Sequence, residues 1–461
     1  MTPKGPPEYH AAPILSAGAA RSDRGALCAL PEDWCKPVDP GPWLMNSAVA
    51  KRLALLLLFA LAVRLAAGFV WQGRFPGRFG FGDSGSYWQL GRAIAEGGPY
   101  EFGDPPARVF RTPGYPLLLA PLFLLSRGEP PVAWARTENA IFGTLTVAAV
   151  WWLARELFDQ RCAWIAAAVT AVYPGAIALS GLVLSEAPFC LLMVVQLALW
   201  VAACRAQRRL AACAFALAAG LAAGAATLVR PSWLLFTPLA GVVAITVGKG
   251  KGRQAAIVGA MLAGLVLVMT PWWVRNGAVT GRFVPTTLQV GASLYDGLNP
   301  EATGASDMAF VSRLSRQVRR EAGEPFEVRL DRRMREEALS WARQHPGEVA
   351  RLALVKLYRM WNLWPNEPSL SSWPVRIVVA LSYLPVLLLG LCGAARTIRG
   401  GWPYWLCWLP AVYFTALHVI FVSSIRYRQP AMLGLIVLAA GVIGQWGTRK
   451  SGECEVMSVE W

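Results

Sequence analysis

Long apolar runs separated by short polar stretches recur along the chain from about residue 52 to residue 447. Ten of them approach the length of about 20 residues that an α-helix needs to cross a bilayer. They are about 52–71, 133–154, 162–180, 183–204, 210–228, 232–248, 254–274, 374–395, 402–422 and 430–447. This pattern predicts an all-α polytopic membrane protein, a bundle of about ten transmembrane helices.

One further apolar segment, 114–126, is too short to span comfortably and follows the charged start of RTPGYPLLLAPL. It carries two prolines, and a third precedes it, so it is poor material for a straight helix. If it does not cross, the later basic loops fall on one side, as the positive-inside rule requires. These loops hold Arg155/Arg161, Arg205/Arg208/Arg209, Lys249/Lys251/Arg253, Arg396/Arg399 and Arg449/Lys450. We therefore expect the segment to lie in the outer interface or to dip in and return. The alternative is a short kinked span with a neighbouring helix missed.

This threading divides the chain into three parts. Residues 1–48, rich in Pro, Gly and Ala, are expected to form a disordered cytoplasmic tail. Residues 49–450 form the transmembrane domain, and 451–461 a cytoplasmic C-terminal tail. Because the first charged flank and apolar run begin only at Lys51, translation starting at Met45 is a hypothesis. An intact N-terminal peptide containing Trp34 in mass spectra would rule it out.

Two substantial segments, 72–132 and 275–373, lie on the outer side in this threading. The second contains a charged sequence with helical periodicity, DRRMREEALSWARQHPGEVARLALVKLYRMW. Its pattern predicts a pair of amphipathic interfacial helices that rest on the outer leaflet. The expected polar face holds Arg332, Arg335, Glu336 and Arg343, and the expected apolar face holds Leu339, Trp341, Leu352 and Leu357.

Composition removes several function classes. The chain is 55% hydrophobic and 16% charged, and its net charge of +16 lies largely in short loops, so nucleic acid is not an expected partner. The nine cysteines form no CxxC pair and mostly sit inside apolar runs. With only three histidines, neither a disulfide framework nor a histidine-based zinc site is expected.

Two carboxylates beside the spans are candidates for chemistry, because ionisable groups there are costly. Asp83 precedes a predicted short amphipathic helix, 84–95, that carries Tyr87 on its apolar face. It could serve only as the helix cap, or as a catalytic base. Glu186 falls in the first turn of the fourth span, at the same outer face, where it could simply favour the helix N-terminus.

Several arginines share that outer side. Arg64 lies within the first span, and Arg230 and Arg275 lie at outer ends, where snorkelling anchors explain them equally well. Arg426 and Arg428, from SSIRYRQP, are assigned to the outer end of the ninth span, on the helix that carries His418. This pair opposes the charge bias, and guanidinium forks suit phosphate oxygens. Arginines holding a phosphate beside a carboxylate that accepts a proton from a hydroxyl make a chemical hypothesis.

The order and spacing of several motifs resemble a known family. The motifs are GDSGSYWQLGRAIAEGG, RTPGYPLLLAPL, the Leu-Ser-Glu of LVLSEAPF, RPSWLLFTPLA, PWWVRNGAVTGRFVPTT and RYRQP, covering almost everything after residue 50. The chain resembles the bacterial branch of the protein O-mannosyltransferase and aminoarabinose lipid A transferase group. The resemblance implies family 39 glycosyltransferases of the GT-C fold, which use polyprenyl-phosphate sugars as donors.

The resemblance also implies roles for single residues. Asp83 matches the acidic residue of the first outer loop that serves as catalytic base. The family more often has an Asp-Glu pair there; Ser84 follows here, and Glu186 is the candidate for the second carboxylate. RTPGYP matches a segment laid along the membrane surface, with Arg111 directed to the phosphate and Tyr115 to the sugar or lipid.

The sequence thus predicts a multi-pass inner-membrane glycosyltransferase of the cell envelope. It would move a sugar from a polyprenyl phosphate to a hydroxyl of a lipid, glycan or protein acceptor at the periplasmic face, with inversion and Asp83 as base. Glu186 would position the acceptor or bind a divalent cation, the one cofactor under consideration. The candidate donor phosphate-binding residues are Arg111, Arg275, Arg426, Arg428 and Arg64, and the candidate substrate-binding residues are Tyr87 and Tyr115.

Two alternatives stay open. The first is ligation of a pyrophosphate-linked glycan, as in O-antigen ligases, whose larger donor head group requires more basic contacts. The second is a transporter or flippase of lipid-linked sugars. Such transporters tend to show internal repeats and broken helices near the bilayer midplane, whereas the polar residues here gather at one face.

Overall fold

Helices account for nearly all regular structure in the part of the chain that the computed structural model describes, residues 46–74, 79, 82–126, 128–319, 323–365 and 372–456. Most of the predicted N-terminal tail, the hypothetical start at Met45 and the end of the predicted C-terminal tail lie outside these residues. The helices are α1 (Ser47–Arg74), α2 (Gly82–Ala95), α3 (Gly114–Ser126), α4 (Val132–Leu157), α5 (Gln160–Val172), α6 (Pro174–Gly181), α7 (Glu186–Arg205), α8 (Arg209–Val229), α9 (Phe236–Val247), α10 (Lys251–Thr280), α11 (Val290–Gly297), α12 (Phe310–Val318), α13 (Phe326–Gln344), α14 (Pro346–Trp361), α15 (Trp373–Ile398), α16 (Leu409–Ile420) and α17 (Ile425–Val456).

Seven of the described helices are long and apolar enough to cross a membrane: α1, α4, α7, α8, α10, α15 and α17. The pair α5 and α6, bent by 53° at a break before Pro174, is an eighth candidate span. The predicted polytopic all-α fold is therefore confirmed. The runs 232–248 and 402–422 form shorter helices, α9 and α16, because 3-10 turns at Pro231–Trp233 and Tyr404–Cys407 occupy the first part of each run.

The loops rich in basic residues meet at one end of the bundle, called here the basic end. Arg205, at the end of α7, donates to the carbonyl of Leu157 at the end of α4 (3.1 Å). Arg253, at the start of α10, donates to the carbonyl of Ala203 in α7 (3.2 Å). Three of the predicted cytoplasmic loops thus share one end, in agreement with the threading derived from loop charge.

The chain between α1 and α4, which contains α3, leaves the bundle and returns to it at the end opposite the basic end. A Cβ atom added to Gly68, near the end of α1, would lie 3.8 Å from the Cβ of Arg136, near the start of α4. Because α1 ends where α4 begins, the chain between them makes no net crossing. The 13 residues of α3 pack instead on α2, where a Cβ on Gly91 would lie 3.0 Å from the Cβ of Leu119. This geometry agrees with the expectation for segment 114–126.

The predicted amphipathic pair forms as α13 and α14, joined at His345. On the assigned apolar face, Leu352 is buried in the protein, whereas Leu339 and Leu357 are exposed, as side chains directed at a membrane surface would be. Two charged side chains of these helices are also buried, because the fold supplies them with polar partners. Asp331 accepts from the backbone N–H of Gly291 (2.6 Å), and Lys356 donates to the carbonyl of Ile420 (2.7 Å).

Candidate active site

Five charged side chains form an alternating row at the end of the bundle opposite the basic end. Arg111 pairs with Asp83 (Nη2–Oδ1, 2.7 Å), and Arg426 lies 3.3 Å from the other oxygen of Asp83. Arg426 also pairs with Glu186 (Nε–Oε1, 2.6 Å), which pairs in turn with Arg230 (2.9 Å). The row, called here the charged row, joins five elements that are far apart in sequence.

Asp83 is placed by the start of α2. It lies in the first turn of that helix, where the positive end of the helix dipole stabilises a carboxylate. The Ser86 hydroxyl donates to the Asp83 carbonyl (2.8 Å), which tightens this turn. The Asp83 side chain is 38% exposed, the largest exposed fraction in the charged row, so a substrate hydroxyl can reach it.

Arg111 is held on all sides. Its Nη2 meets Asp83, its Nη1 donates to the side chain of Gln289 (3.0 Å), and its Nε donates to Ser86 (3.2 Å). The preceding backbone is fixed by the carboxylate of Glu327, which accepts from the N–H of Val109 (3.0 Å). The guanidinium is only 11% exposed and has little freedom to move.

Gly114 explains part of the RTPGYP motif. A Cβ at this position would lie 2.5 Å from the carbonyl carbon of Leu228, near the end of α8. Because no side chain fits, the backbone of the motif approaches the residues that lead into Arg230. This close approach brings the stretch containing Arg111 to the same end as the rest of the charged row.

Arg426 and Arg428 belong to the first turn of α17, which corrects their assignment to the helix of His418. Helix α16 ends at Ile420, and the N–H of Ser423 donates to the carbonyl of Gly304 (3.0 Å) across the break. The ring of His418 then stacks on that of Tyr427, with the ring centres 4.2 Å apart. The break turns the start of α17 toward Asp83.

Glu186 begins α7, as predicted, and is 1% exposed. From the sequence, its partner Arg230 is predicted only as one of the outer arginines, which snorkelling anchors explain equally well. One signal was present: Arg230 is the only charged residue between Arg209 and Lys249. A lone charge in such a stretch requires a partner, but its identity depends on the tertiary fold.

The charges of this row are not balanced. Three arginines face two carboxylates, which leaves one positive charge. Burial by itself raises the pKa of Asp83, but the charges of Arg111 and Arg426 and their hydrogen bonds outweigh it, so the pKa lies below its ordinary value. Asp83 is therefore ionised at neutral pH, and the site as a whole favours an added anion.

The other three predicted phosphate-binding arginines contact other groups. Arg64 is fully buried and donates to the carbonyls of Ala60, Thr170 and Ala171 (each 3.1 Å). Arg428 donates to the carbonyls of Met360 and Asn362 and lies 3.5 Å from the ring centre of Tyr383. Arg275 packs over the rings of Tyr100 and Trp272. None of the three is part of the charged row.

The two predicted substrate-binding tyrosines form a layer behind Arg111. Tyr87 lies under the Arg111 guanidinium, 5.0 Å from ring centre to charge, and meets Tyr115 edge-on at 5.2 Å. Tyr115 is fully buried, and its hydroxyl accepts from the side chain of Asn139 (2.9 Å). The two tyrosines pack behind Arg111, and Tyr115, the more distant of the two, is not exposed to a ligand.

A cavity of about 610 Å³ lies next to the charged row. Arg426 is part of its wall together with Arg359 and the predicted phosphate-binding residue Arg428, and most of the remaining lining is apolar. Helices α6 and α15 and the start of α17 supply that lining, including Leu179, Val375, Val378, Val379 and Tyr383. Because Val378 lines the cavity and is also 52% exposed, the cavity opens at the periphery of the helix bundle, beside α15.

The donor set does not fit a divalent cation. Within the described ranges, no three His, Cys, Asp or Glu side chains are grouped as metal ligands are. The two carboxylates of the charged row each face two arginines, so a cation placed between them would meet positive charge on both sides. The idea that Glu186 binds a metal ion therefore has no support in this geometry.

The fold is that of the GT-C class of membrane glycosyltransferases. The chain is similar to the oligosaccharyltransferase of Archaeoglobus fulgidus in the apo form, with a TM-score of 0.56 at 15% identity over 88% of this chain and 52% of that one. A second structure, the oligosaccharyltransferase AglB from the same organism in complex with an inhibitory peptide and a dolichol-phosphate, gives 0.58 at 15% identity over 90% and 52%. The chain spans about half the length of these proteins.

Within that class, residues 126–282 match the family model of dolichyl-phosphate-mannose-protein mannosyltransferases. The match includes Glu186 and Arg230 but not Asp83, Arg111 or Arg426. ArnT from Cupriavidus metallidurans bound to undecaprenyl phosphate is also similar, with a TM-score of 0.42 at 16% identity over 85% of this chain and 78% of that one. No curated protein matches the chain. The family match and the fold confirm the expected class, the membrane glycosyltransferases of the GT-C fold.

Proposed function

We propose that this protein transfers a sugar from a polyprenyl phosphate to an acceptor hydroxyl, with inversion and with Asp83 as general base. One observation carries the proposal: an exposed carboxylate is held between two arginines beside a large apolar cavity. A hydroxyl that attacks needs a proton acceptor, and a phosphate that leaves needs positive charge. The site offers both at the edge of a cavity suited to a lipid chain.

The cavity supports a lipid-linked donor. It is mostly apolar, reaches the outer surface of the bundle beside α15, and contains Arg426 in its wall. An isoprenoid chain lying along Val375 and Val378 would place its phosphate near that guanidinium. The dolichol-phosphate and undecaprenyl phosphate in the two structures named above are ligands of the same chemical kind.

The net charge favours a monophosphate donor over a pyrophosphate donor. A sugar phosphodiester carries one negative charge, which matches the single excess positive charge of the charged row. A pyrophosphate diester carries two negative charges, one more than the row balances; balancing the second would require Arg359 or Arg428, which also line the cavity but are held by backbone carbonyls. The ligase alternative therefore fits this row less well than the transferase.

The reaction balances with the groups present. The acceptor hydroxyl oxygen forms a bond to the anomeric carbon while its proton passes to the Asp83 carboxylate. The bond between the anomeric carbon and the phosphate oxygen breaks, and its electron pair stays on the phosphate. Negative charge therefore grows on the leaving phosphate, where Arg426 stabilises it. A single displacement of this kind inverts the anomeric centre.

The loop charges support an extracytoplasmic site. The basic residues cluster at the end opposite the charged row, and such clusters favour the cytoplasmic side of a membrane. The site would then face the outside of the inner membrane, where the acceptor is a lipid, a glycan or a protein.

The test uses the full chain in lipid nanodiscs with a membrane extract as acceptor source. Polyprenyl-monophosphate sugars and polyprenyl-pyrophosphate glycans are supplied separately, and release of free lipid phosphate is measured. Release from one or more monophosphate donors, and none from pyrophosphate donors, supports the proposal. Release only from pyrophosphate donors would instead support the ligase, and movement of intact donor across the bilayer of proteoliposomes without release would support a transporter.

A further inference from the structure

The two arginines that hold Asp83 are bound in different ways. Arg111 approaches Asp83 to 2.7 Å, is 11% exposed, and directs its remaining nitrogens to Gln289 and Ser86. Arg426 approaches the other oxygen to only 3.3 Å and lines the cavity. The longer contact is therefore the one an incoming ligand can reach and replace.

Arg426 has a second attachment that does not depend on Asp83. Its Nε lies 2.6 Å from Glu186, a fully buried carboxylate that is also paired with Arg230. If the contact to Asp83 opens, this attachment keeps the guanidinium in place beside the cavity. Breaking the inner pair would instead separate two largely buried opposite charges at the shorter contact, which costs more than opening the longer and more exposed contact to Asp83.

We propose that the donor phosphate displaces Asp83 from Arg426, and that Glu186, braced by Arg230, is the positioning residue that holds Arg426 during this exchange. The inference rests on the proposed function and deepens it, because it makes the base available only when donor is bound. No covalent bond changes in the exchange: one carboxylate–guanidinium contact is replaced by one phosphate–guanidinium contact. Glu186 is then not a catalytic residue, since it touches no reacting atom.

The exchange has a consequence for pH dependence. The charged groups facing Asp83 are Arg111 from the loop before α3 and Arg426 from α17, with Glu186 of α7 behind Arg426. Donor binding removes one of these two positive contacts and adds a negative phosphate, so the pKa of Asp83 rises from its depressed value. Loss of one hydrogen bond between charged groups changes the pKa of the carboxyl group by about one to two units.

Kinetics over a pH series tests this. The acid limb of kcat/KM for the donor reports the pKa of Asp83 in the free enzyme, and the acid limb of kcat reports it in the donor complex. We expect the acid limb of kcat to lie at higher pH by about one to two units, with kcat/KM still level there. Coincident limbs would overturn the exchange. Absence of any lipid phosphate release by wild type would instead count against the proposed function itself.

The variant Glu186→Gln tests the positioning role. Without the carboxylate, Arg426 turns fully to Asp83 and the site gains positive charge. We expect kcat to fall about tenfold or more while polyprenyl phosphate binds as tightly as in wild type or more tightly. Glu186→Asp, which keeps the charge, should restore part of kcat. Unchanged kcat, or weaker binding with unchanged kcat, would overturn the assignment.

A matched control separates this effect from simple loss of a buried carboxylate. Asp331 is also buried and paired with an arginine, Arg335, but lies outside the charged row. Asp331→Asn should retain the wild-type kcat. All variants are first checked for monodisperse elution and thermal unfolding.

Infrared difference spectra give a readout without turnover, and they serve even if Glu186→Gln fails to fold. Adding polyprenyl phosphate to wild type should shift a carboxylate stretching band that is missing in Asp83→Asn. The same band in both proteins, or no shifted carboxylate band at all, would contradict the exchange.

Discussion

At the scale of single residues, the charged row shows what charges within or beside membrane spans require. Asp83, Arg426 and Glu186 were selected from the sequence because each sits where an ionisable group is costly, whereas Arg111 was selected through the family resemblance of its motif. The same rule also selected Arg64, whose cost is met by backbone carbonyls at the end of α5. Sequence position indicates that a partner must exist; only the fold determines whether it is a side chain, a carbonyl or a ligand.

Arg64 allows a test of that distinction. Replacing it with Met leaves buried carbonyls without donors, and each such group costs about 1–3 kcal/mol. We expect Arg64→Met to lower the midpoint of thermal unfolding without changing the dissociation constant of polyprenyl phosphate. Weaker lipid phosphate binding at unchanged stability would return Arg64 to the donor site.

At the scale of elements, the apolar pattern predicted the long helices well and their interruptions less well. Proline-led 3-10 turns shortened α9 and α16, and a break before α17 moved Arg426 to a different helix from His418. Hydropathy locates the apolar runs, but it does not tell whether polar residues between two runs, such as Ser424 and Arg426, extend the first helix or begin the second. The burial of Asp331 in α13 and Lys356 in α14 could likewise not be predicted, since it depends on specific polar contacts to other elements.

Gly114 connects element packing to the site. Substituting Ala puts a methyl group where the backbone of Leu228 already lies, so the Arg111 stretch must move away from α8. We expect Gly114→Ala to lower the rate of lipid phosphate release at least about tenfold, because small displacements of positioning groups cost this much or more.

The control is Gly259→Ala in α10, where an added Cβ meets no atom within 4 Å. It should retain wild-type release. Equal rates for Gly114→Ala and wild type would show that the close approach of the motif to α8 does not position Arg111.

At the scale of the whole molecule, the threading derived from loop charge agrees with the meeting of three basic loops at one end of the bundle. It indicated that α3 makes no crossing, and the adjacency of Gly68 and Arg136 agrees. The charged row could not be predicted as a unit, because Arg230 and Glu186 meet only when α7 and α8 pack together. The similarity to GT-C proteins extends over most of this chain but only about half of the oligosaccharyltransferases.

The orientation can be measured in cells with single cysteines in a cysteine-free background. Glu96 precedes α3 and Gly128 follows it, whereas Arg208 lies between α7 and α8 at the basic end. We expect an impermeant maleimide added outside to label cysteines at 96 and 128 but not at 208. Labelling of 96 and 128 from opposite sides would show that α3 crosses the membrane.

The most direct test of the central claim compares wild type with Asp83→Asn. The full chain in nanodiscs is given an active polyprenyl-phosphate sugar and its acceptor, and release of free polyprenyl phosphate is measured together with donor binding. Loss of the base should reduce release by about 100-fold or more, with donor binding retained. Equal release from both proteins would contradict the assignment of Asp83 as the base and leave it as a residue of the first turn of α2.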